Sequence, residues 1–166
     1  MTDETMDVIT RAVELGRKGD ADAARSALVD LWAGIGPVGD PLHRCTLAHY
    51  LADLYDDPAQ ALVWDVRALD AADALTDERV QHHHAGLAVR GFYPSLHLNL
   101  ADNLRRLGSF DAARTHIDAA AAYLDALGDD AYGRMIRGAL EDVAASVRTG
   151  STARRPTAPG PVTAES

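Results

Sequence analysis

The chain has 166 residues, 47% of them apolar, with 25 acidic and 16 basic side chains and a formal net charge of −9. That apolar content excludes a mainly disordered chain and is enough for one domain with a buried core. The acidic balance argues against nucleic-acid binding through phosphates and against docking on an anionic membrane surface, and it mildly favours a basic partner. Aromatics are only 5% and Ala is abundant, so thin core layers and closely spaced helices are expected. Ala, Leu and Arg are good helix formers, and β-branched residues never form an alternating run. Cys45 is the only cysteine, which excludes an intrachain disulfide. The acidic start, Met1-Thr-Asp-Glu-Thr, has no apolar core of signal-peptide type, and no apolar run reaches the roughly 20 residues of a membrane span. A cytoplasmic location is therefore expected.

Apolar spacing predicts helices over Asp3–Lys18 and Ala21–Ala33, then over Pro41–Tyr55 and Pro58–Leu75. Gly34, Gly36 and Gly39 mark the loop between the two pairs. Pro41 and Pro58 suit first helical positions, where a missing N–H costs nothing, and Asp40 and Asp57 precede them as N-caps. A long helix ends at Leu107, Gly108 closes it, and Ser109 caps the next helix, Phe110–Leu127. A last helix over Asp130–Arg148 is expected to turn Met135, Leu140 and Val143 inward. The helical domain then spans 1–148. Residues 149–166 carry three prolines and no apolar periodicity, and a disordered, solvated tail is expected there. Its Arg154 and Arg155 offer charge to an acidic partner.

Within Leu98–Ala121, Leu100, Ala101 and Leu104 form one apolar face, Gly108 ends the helix, and Phe110, Ala113, Ile117 and Ala120 start a second stripe. Ala12, Leu15 and Gly19 followed by Ala24, Leu28 and Leu31 repeat the pattern. Ala48, Leu51 and Tyr55 followed by Ala61 and Ala68 repeat it more loosely, with Tyr55 in place of the turn glycine. This pattern resembles the tetratricopeptide (TPR) repeat, a helix–turn–helix unit in which small residues let two helices pack closely. The resemblance implies an all-α, right-handed superhelix of three helix pairs, closed by the last helix as a cap. The step from Ala12 to Ala48 is close to the family's repeat of about 34 residues, whereas Ala48 to Ala101 exceeds it by roughly nineteen. The excess lies at 77–94. It is expected to extend the first helix of the third repeat towards the N-terminus, with a kink near Arg90 set by Gly91 and Pro94.

In the TPR family the first helix of each repeat lines a concave groove. The resemblance places Met6, Ile9, Thr10, Val13 and Arg17 there from the first repeat, and Leu42, Cys45, Thr46, His49 and Asp53 from the second. The third repeat would add Ser95, Leu98, Asn99, Asp102, Arg105 and Arg106. Asn99 matches the position at which groove-binding members hold a ligand backbone or carboxylate, and Arg17 and Arg106 can grip a carboxylate. The lysines of the family's carboxylate-binding pattern are absent. The function implied is an adaptor that binds a protein or peptide segment in the groove, with no cofactor and the oligomeric state left open.

Two other classes fit parts of the chain. Cys45 and His49 stand four apart on one helix face, and His84 of the His82–His84 triplet can join them if the extended helix keeps its phase. Thiolate and imidazole would suit zinc or another transition metal in a metal-binding or sensing protein. Cys45 with His49 would also supply a nucleophile and base to a helical enzyme whose pocket the insertion closes. There is no phosphate loop, no nucleophilic Ser motif and no paired carboxylates in an apolar setting. Catalysis is therefore the less favoured class.

Overall fold

A computed structural model describes residues 2–83 and 88–156. The chain divides between Leu75 and Thr76 into two compact units, in each of which helices are the only regular structure among the described residues. The N-terminal unit holds α1 (Glu4–Arg17), α2 (Ala21–Ile35), α3 (Pro41–Ala52) and α4 (Pro58–Asp73). The C-terminal unit holds α5 (Asp77–His83), a 3-10 turn at Val89–Gly91, α6 (Tyr93–Arg106), α7 (Phe110–Ala122), a second 3-10 turn at Leu124–Ala126, and α8 (Ala131–Arg148). Consecutive helices pack as pairs, α1 on α2, α3 on α4 and α6 on α7.

Helix starts follow the predicted chemistry. The carboxylates of Asp3, Asp20, Asp40, Asp57 and Asp130 each accept a backbone N–H of the first turn, and Pro41 and Pro58 stand where no N–H is needed. Ser109 occupies the cap position of α7 without a side-chain cap bond. The alanines of the repeated pattern are all buried: Ala12, Ala24, Ala48, Ala61, Ala68, Ala101, Ala113 and Ala120. Trp64 of α4 is buried and meets Trp32 of α2 edge-on, with ring centroids 5.2 Å apart.

The segment 77–94 departs from the expected kinked extension, so eight α-helices replace the expected seven main ones among the described residues. α5 ends at His83, Ala88 is fully extended (φ −136°, ψ 151°), and α6 begins anew at Tyr93. The cause is local. Asp77 uses its carboxylate to accept the Val89 N–H at 2.9 Å, which ties the 3-10 turn back to the start of α5. Pro94 then falls in the first turn of α6, so it starts a helix instead of bending one. His84 lies outside the described residues.

In the C-terminal unit α8 packs against both α6 and α7. Leu98 and Ala101 of α6, Ala120 of α7, and Ile136, Leu140 and Val143 of α8 form its core. Leu140 and Val143 face inward as predicted, but Met135 is 59% exposed and Ile136 takes its place. Ile136, Leu140, Val143 and Val147 form one continuous stripe, and Met135 is turned about 100° off it.

One turn recurs three times. After α1, Gly19 (φ 99°) lets Asp20 N–H reach back to the Leu15 carbonyl at 3.2 Å. After α6, Gly108 (φ 77°) does the same for Ser109 and Leu104 at 2.8 Å, and after α8, Gly150 (φ 70°) for Ser151 and Ser146 at 2.9 Å. This bond, with a left-handed glycine, satisfies carbonyls of the last helical turn and reverses the chain. After α1 and α6 the reversed chain enters a helix. After α8 it runs on through 151–156 without regular structure.

Candidate functional site

The α8-facing stripe of α6 runs Leu98, Ala101, Arg105. The first two are core residues, and Arg105 continues the stripe with a side chain that is 0% exposed. A buried guanidinium must be paired and hydrogen-bonded to be tolerated. Its first partner is Asp102, one turn back, whose Oδ1 accepts from Nε at 2.9 Å and from Nη2 at 2.7 Å. Its remaining donors leave the helix altogether. Nη1 donates to the Ser151 carbonyl at 2.7 Å and Nη2 to the Ala153 carbonyl at 2.8 Å.

Arg155 completes the arrangement. Its Nε lies 3.7 Å from Asp102 Oδ2, and its Nη1 lies 3.7 Å from Asp142 Oδ2 on α8. The Arg155 side chain is 10% exposed, and its buried Nε makes no hydrogen bond. A segment expected to be solvated is therefore pinned at Ser151, Ala153 and Arg155. Residues 157–166, the rest of the expected tail, lie outside the described residues.

The other sequence-predicted residues of this unit divide. Leu98, expected in an open groove, is covered by α8 and belongs to the core. Ser95 donates its hydroxyl to the Phe92 carbonyl at 3.2 Å and so serves the start of α6. Asn99 and Arg106 are half-buried, and Asp102 sits at the centre of the arginine cluster.

In the N-terminal unit Cys45, His49 and Asp53 follow one another along the end of α3. Cys45 is only 4% exposed, because the spacing that sets it beside His49 also turns it into the core with Leu42 and Ala48. Burial pushes its thiol up to about 12, so at neutral pH it is neither a thiolate nucleophile nor a ready thiolate ligand. His49 instead faces buried Asp65 of α4, with Nδ1 4.0 Å from Oδ1. Burial raises the carboxyl of Asp53, and His49 opposes that shift. Among the described residues no three histidine, cysteine or carboxylate side chains come together as a metal site would need.

Sequence reasoning missed a second cluster. His97 of α6 and His116 of α7 stack with centroids 5.2 Å apart and share a 3.0 Å contact between Nδ1 atoms. Tyr93 and Tyr123 stack beside them at 4.8 Å, and Arg90 lies over Tyr123 while pairing with Asp125 at 3.3 Å. One imidazole must donate and the other accept, so at least one ring is neutral. A nearby open cleft of about 640 Å³ is lined by Arg90, Phe92, Asp125, Leu127, Asp130 and Tyr132. Its cation is already spent on Asp125, and Asp130 caps α8. Two arginines on helix faces hold non-α-helical chain by several directed bonds: Arg137 of α8 donates to the carbonyls of Leu124, Leu127 and Gly128 in the connection that leads into its own helix, whereas Arg105 is fully buried and holds chain that follows the last helix. No family model, curated protein or solved structure matches this chain.

Proposed function

We propose that the protein is a TPR-like scaffold that binds a peptide or protein segment along the first helix of its last pair, α6. The observation that carries this reading is the grip of Arg105 on two carbonyls two residues apart in a non-helical stretch of chain. Both contacts are to main-chain carbonyls, in a stretch that bends at Ala153, so they engage backbone and not one particular side chain. The burial of every alanine in the repeated pattern supports the TPR-like packing, as do the glycine turns after α1 and α6. No residue that the resemblance sets in the groove forms a nucleophile–base pair, and the buried thiol of Cys45 supports binding over catalysis.

Selection from a displayed library of random peptides, on the full chain carrying Arg155→Glu so that its own segment 151–155 no longer holds the face, tests the reading. Bound peptides should lose about tenfold in affinity with Asn99→Ala or Arg106→Ala, the cost of one hydrogen bond to a charged group. Selection that yields no binders, or binders indifferent to both substitutions, would overturn it.

A further inference from the structure

We infer that Asp102 and Asp142 form a seat for an arginine side chain, and that Arg155 occupies it in cis as a stand-in for an arginine-bearing peptide in non-helical conformation. The inference rests on the proposed peptide-binding function and specifies its ligand. Charge balance is the first argument. Arg105 contributes +1 and Asp102 and Asp142 contribute −1 each, so the site without its occupant carries −1, and Arg155 restores neutrality. A replacement that matches the segment brings one positive charge beside Asp102, which is 14% exposed, as well as two backbone carbonyls. Geometry fixes their order. Arg105 takes the carbonyls at 151 and 153 and the acid pair takes the guanidinium at 155, so the ligand is a non-helical stretch, bent at its second held carbonyl, with arginine two residues beyond it.

The seat is made for a guanidinium but imperfectly filled. A planar fork can bond two carboxylates at once, which a lysine ammonium does less well. Arg155 reaches both only at 3.7 Å and leaves its buried Nε without a hydrogen bond. The hydrogen bonds of Arg105 lie between 2.7 and 2.9 Å, so the carbonyl half of the site is closed while the arginine half has unused bonding capacity. A free peptide that settles its guanidinium closer gains bonds that the chain's own segment lacks. The tethered segment competes through its high effective concentration, so the intact chain is held largely self-occupied.

The test uses the full chain with Arg155→Glu, which sets a third carboxylate between Asp102 and Asp142 and expels the segment. Amide hydrogen exchange at 151–155 should rise at least tenfold. A fluorescent peptide of sequence Gly-Ser-Thr-Ala-Arg-Arg-Pro, copying 150–156, should then bind at least tenfold tighter than it binds the wild-type chain. The same peptide with citrulline at the position of Arg155 should not bind. Asp142 is 67% exposed on α8, so Asp142→Asn leaves the fold intact. Added to the wild-type chain it should also raise exchange at 151–155, which keeps the test alive if Arg155→Glu fails to fold. Unchanged exchange in these variants would overturn the arginine seat. Equal binding of the arginine and citrulline peptides overturns the seat and leaves the peptide-binding reading standing, whereas failure of both peptides on a released site overturns the two together.

Discussion

Replacing Arg105 with Met probes the central contact most directly. The side chain is fully buried and makes four hydrogen bonds, two to Asp102 and two to the carbonyls of Ser151 and Ala153. Met is similar in length, so little cavity opens. Asp102, whose side chain is 14% exposed, keeps only Arg155 at 3.7 Å as a cationic partner. Breaking a buried pair from one side costs about 3–5 kcal/mol because the remaining charge is stranded. The two carbonyls lie at the surface, where water replaces the guanidinium, and they add little, which puts the expected loss near the low end, about 3 kcal/mol. Urea titration by far-UV circular dichroism should show that loss in the transition of the C-terminal unit, and amide exchange at 151–155 should accelerate. Arg105→Met combined with Asp102→Leu should recover much of the loss, since no buried charge is left alone. An unchanged midpoint in the single variant, or a double variant worse than the sum of its parts, would refute the reasoning.

Four further outcomes are expected. Gly133→Ala should destabilise the C-terminal unit by about 1–3 kcal/mol in a thermal melt, because the new Cβ would stand 2.1 Å from the Gly128 carbonyl oxygen. Cys45 should resist iodoacetamide at pH 8 in the native chain and react at once in denaturant, since its thiol is buried and raised to about 12. His116 has its pKa lowered from 6.5 by burial, so its contribution is intact above pH 6.5 and lost as pH falls through the folded-state value. The melting midpoint of wild type should accordingly drop more between pH 7.5 and 5 than that of His116→Gln. Asp53 is shifted the other way, raised from 3.8 by burial with His49 opposing, so ionising it at neutral pH weakens the fold. Asp53→Asn should raise the midpoint at pH 7, with the gain vanishing below pH 3.8.

Most helix boundaries were legible because their signals are short-range. An Asp followed by Pro, or a Gly at a helix end, acts on backbone groups within one turn, and the aspartate caps of α1 to α4 and α8 confirm it. The errors arose where a residue's role depends on what covers it. Leu98 carries the same sequence signal in an open groove or beneath α8, and only the packing of α8 on α6 decides between them. Met135 and Ile136 are adjacent and both apolar, so a register error of one residue exchanges core for surface. The break after α5 depends on one carboxylate, Asp77, reaching Val89 across twelve positions, which helical periodicity does not register. His97 and His116 stand on different helices and met only through the pairing of α6 with α7.

The pinned segment had one local signal that composition concealed. Gly150-Ser151 repeats Gly108-Ser109, and both close a helix with the same left-handed glycine and the same back-reaching bond. At Gly108 the reversal delivers Phe110 and Ala113 onto the helix just completed, and an apolar stripe follows. At Gly150 it delivers Thr152, Ala153 and Arg155, which lack the apolar side chains to build another helix pair. A reversed chain with no apolar stripe is held only if the scaffold offers polar bonds. The buried Arg105 on α6 supplies donors for carbonyls, and Asp102 and Asp142 supply acceptors for a guanidinium. An arginine at a core-facing helix position is costly by itself, so its place between Ala101 and the end of α6 makes sense only with chain laid over it. That dependence ties the stability of the C-terminal unit to occupancy of the site, and it predicts that any peptide displacing 151–155 must restore the same carbonyl bonds. A bound peptide that offers two carbonyls to Arg105 and an arginine to the acid pair should thus raise the melting midpoint of the Arg155→Glu chain, and a midpoint unmoved by saturating peptide would separate the site from the fold it is argued to complete.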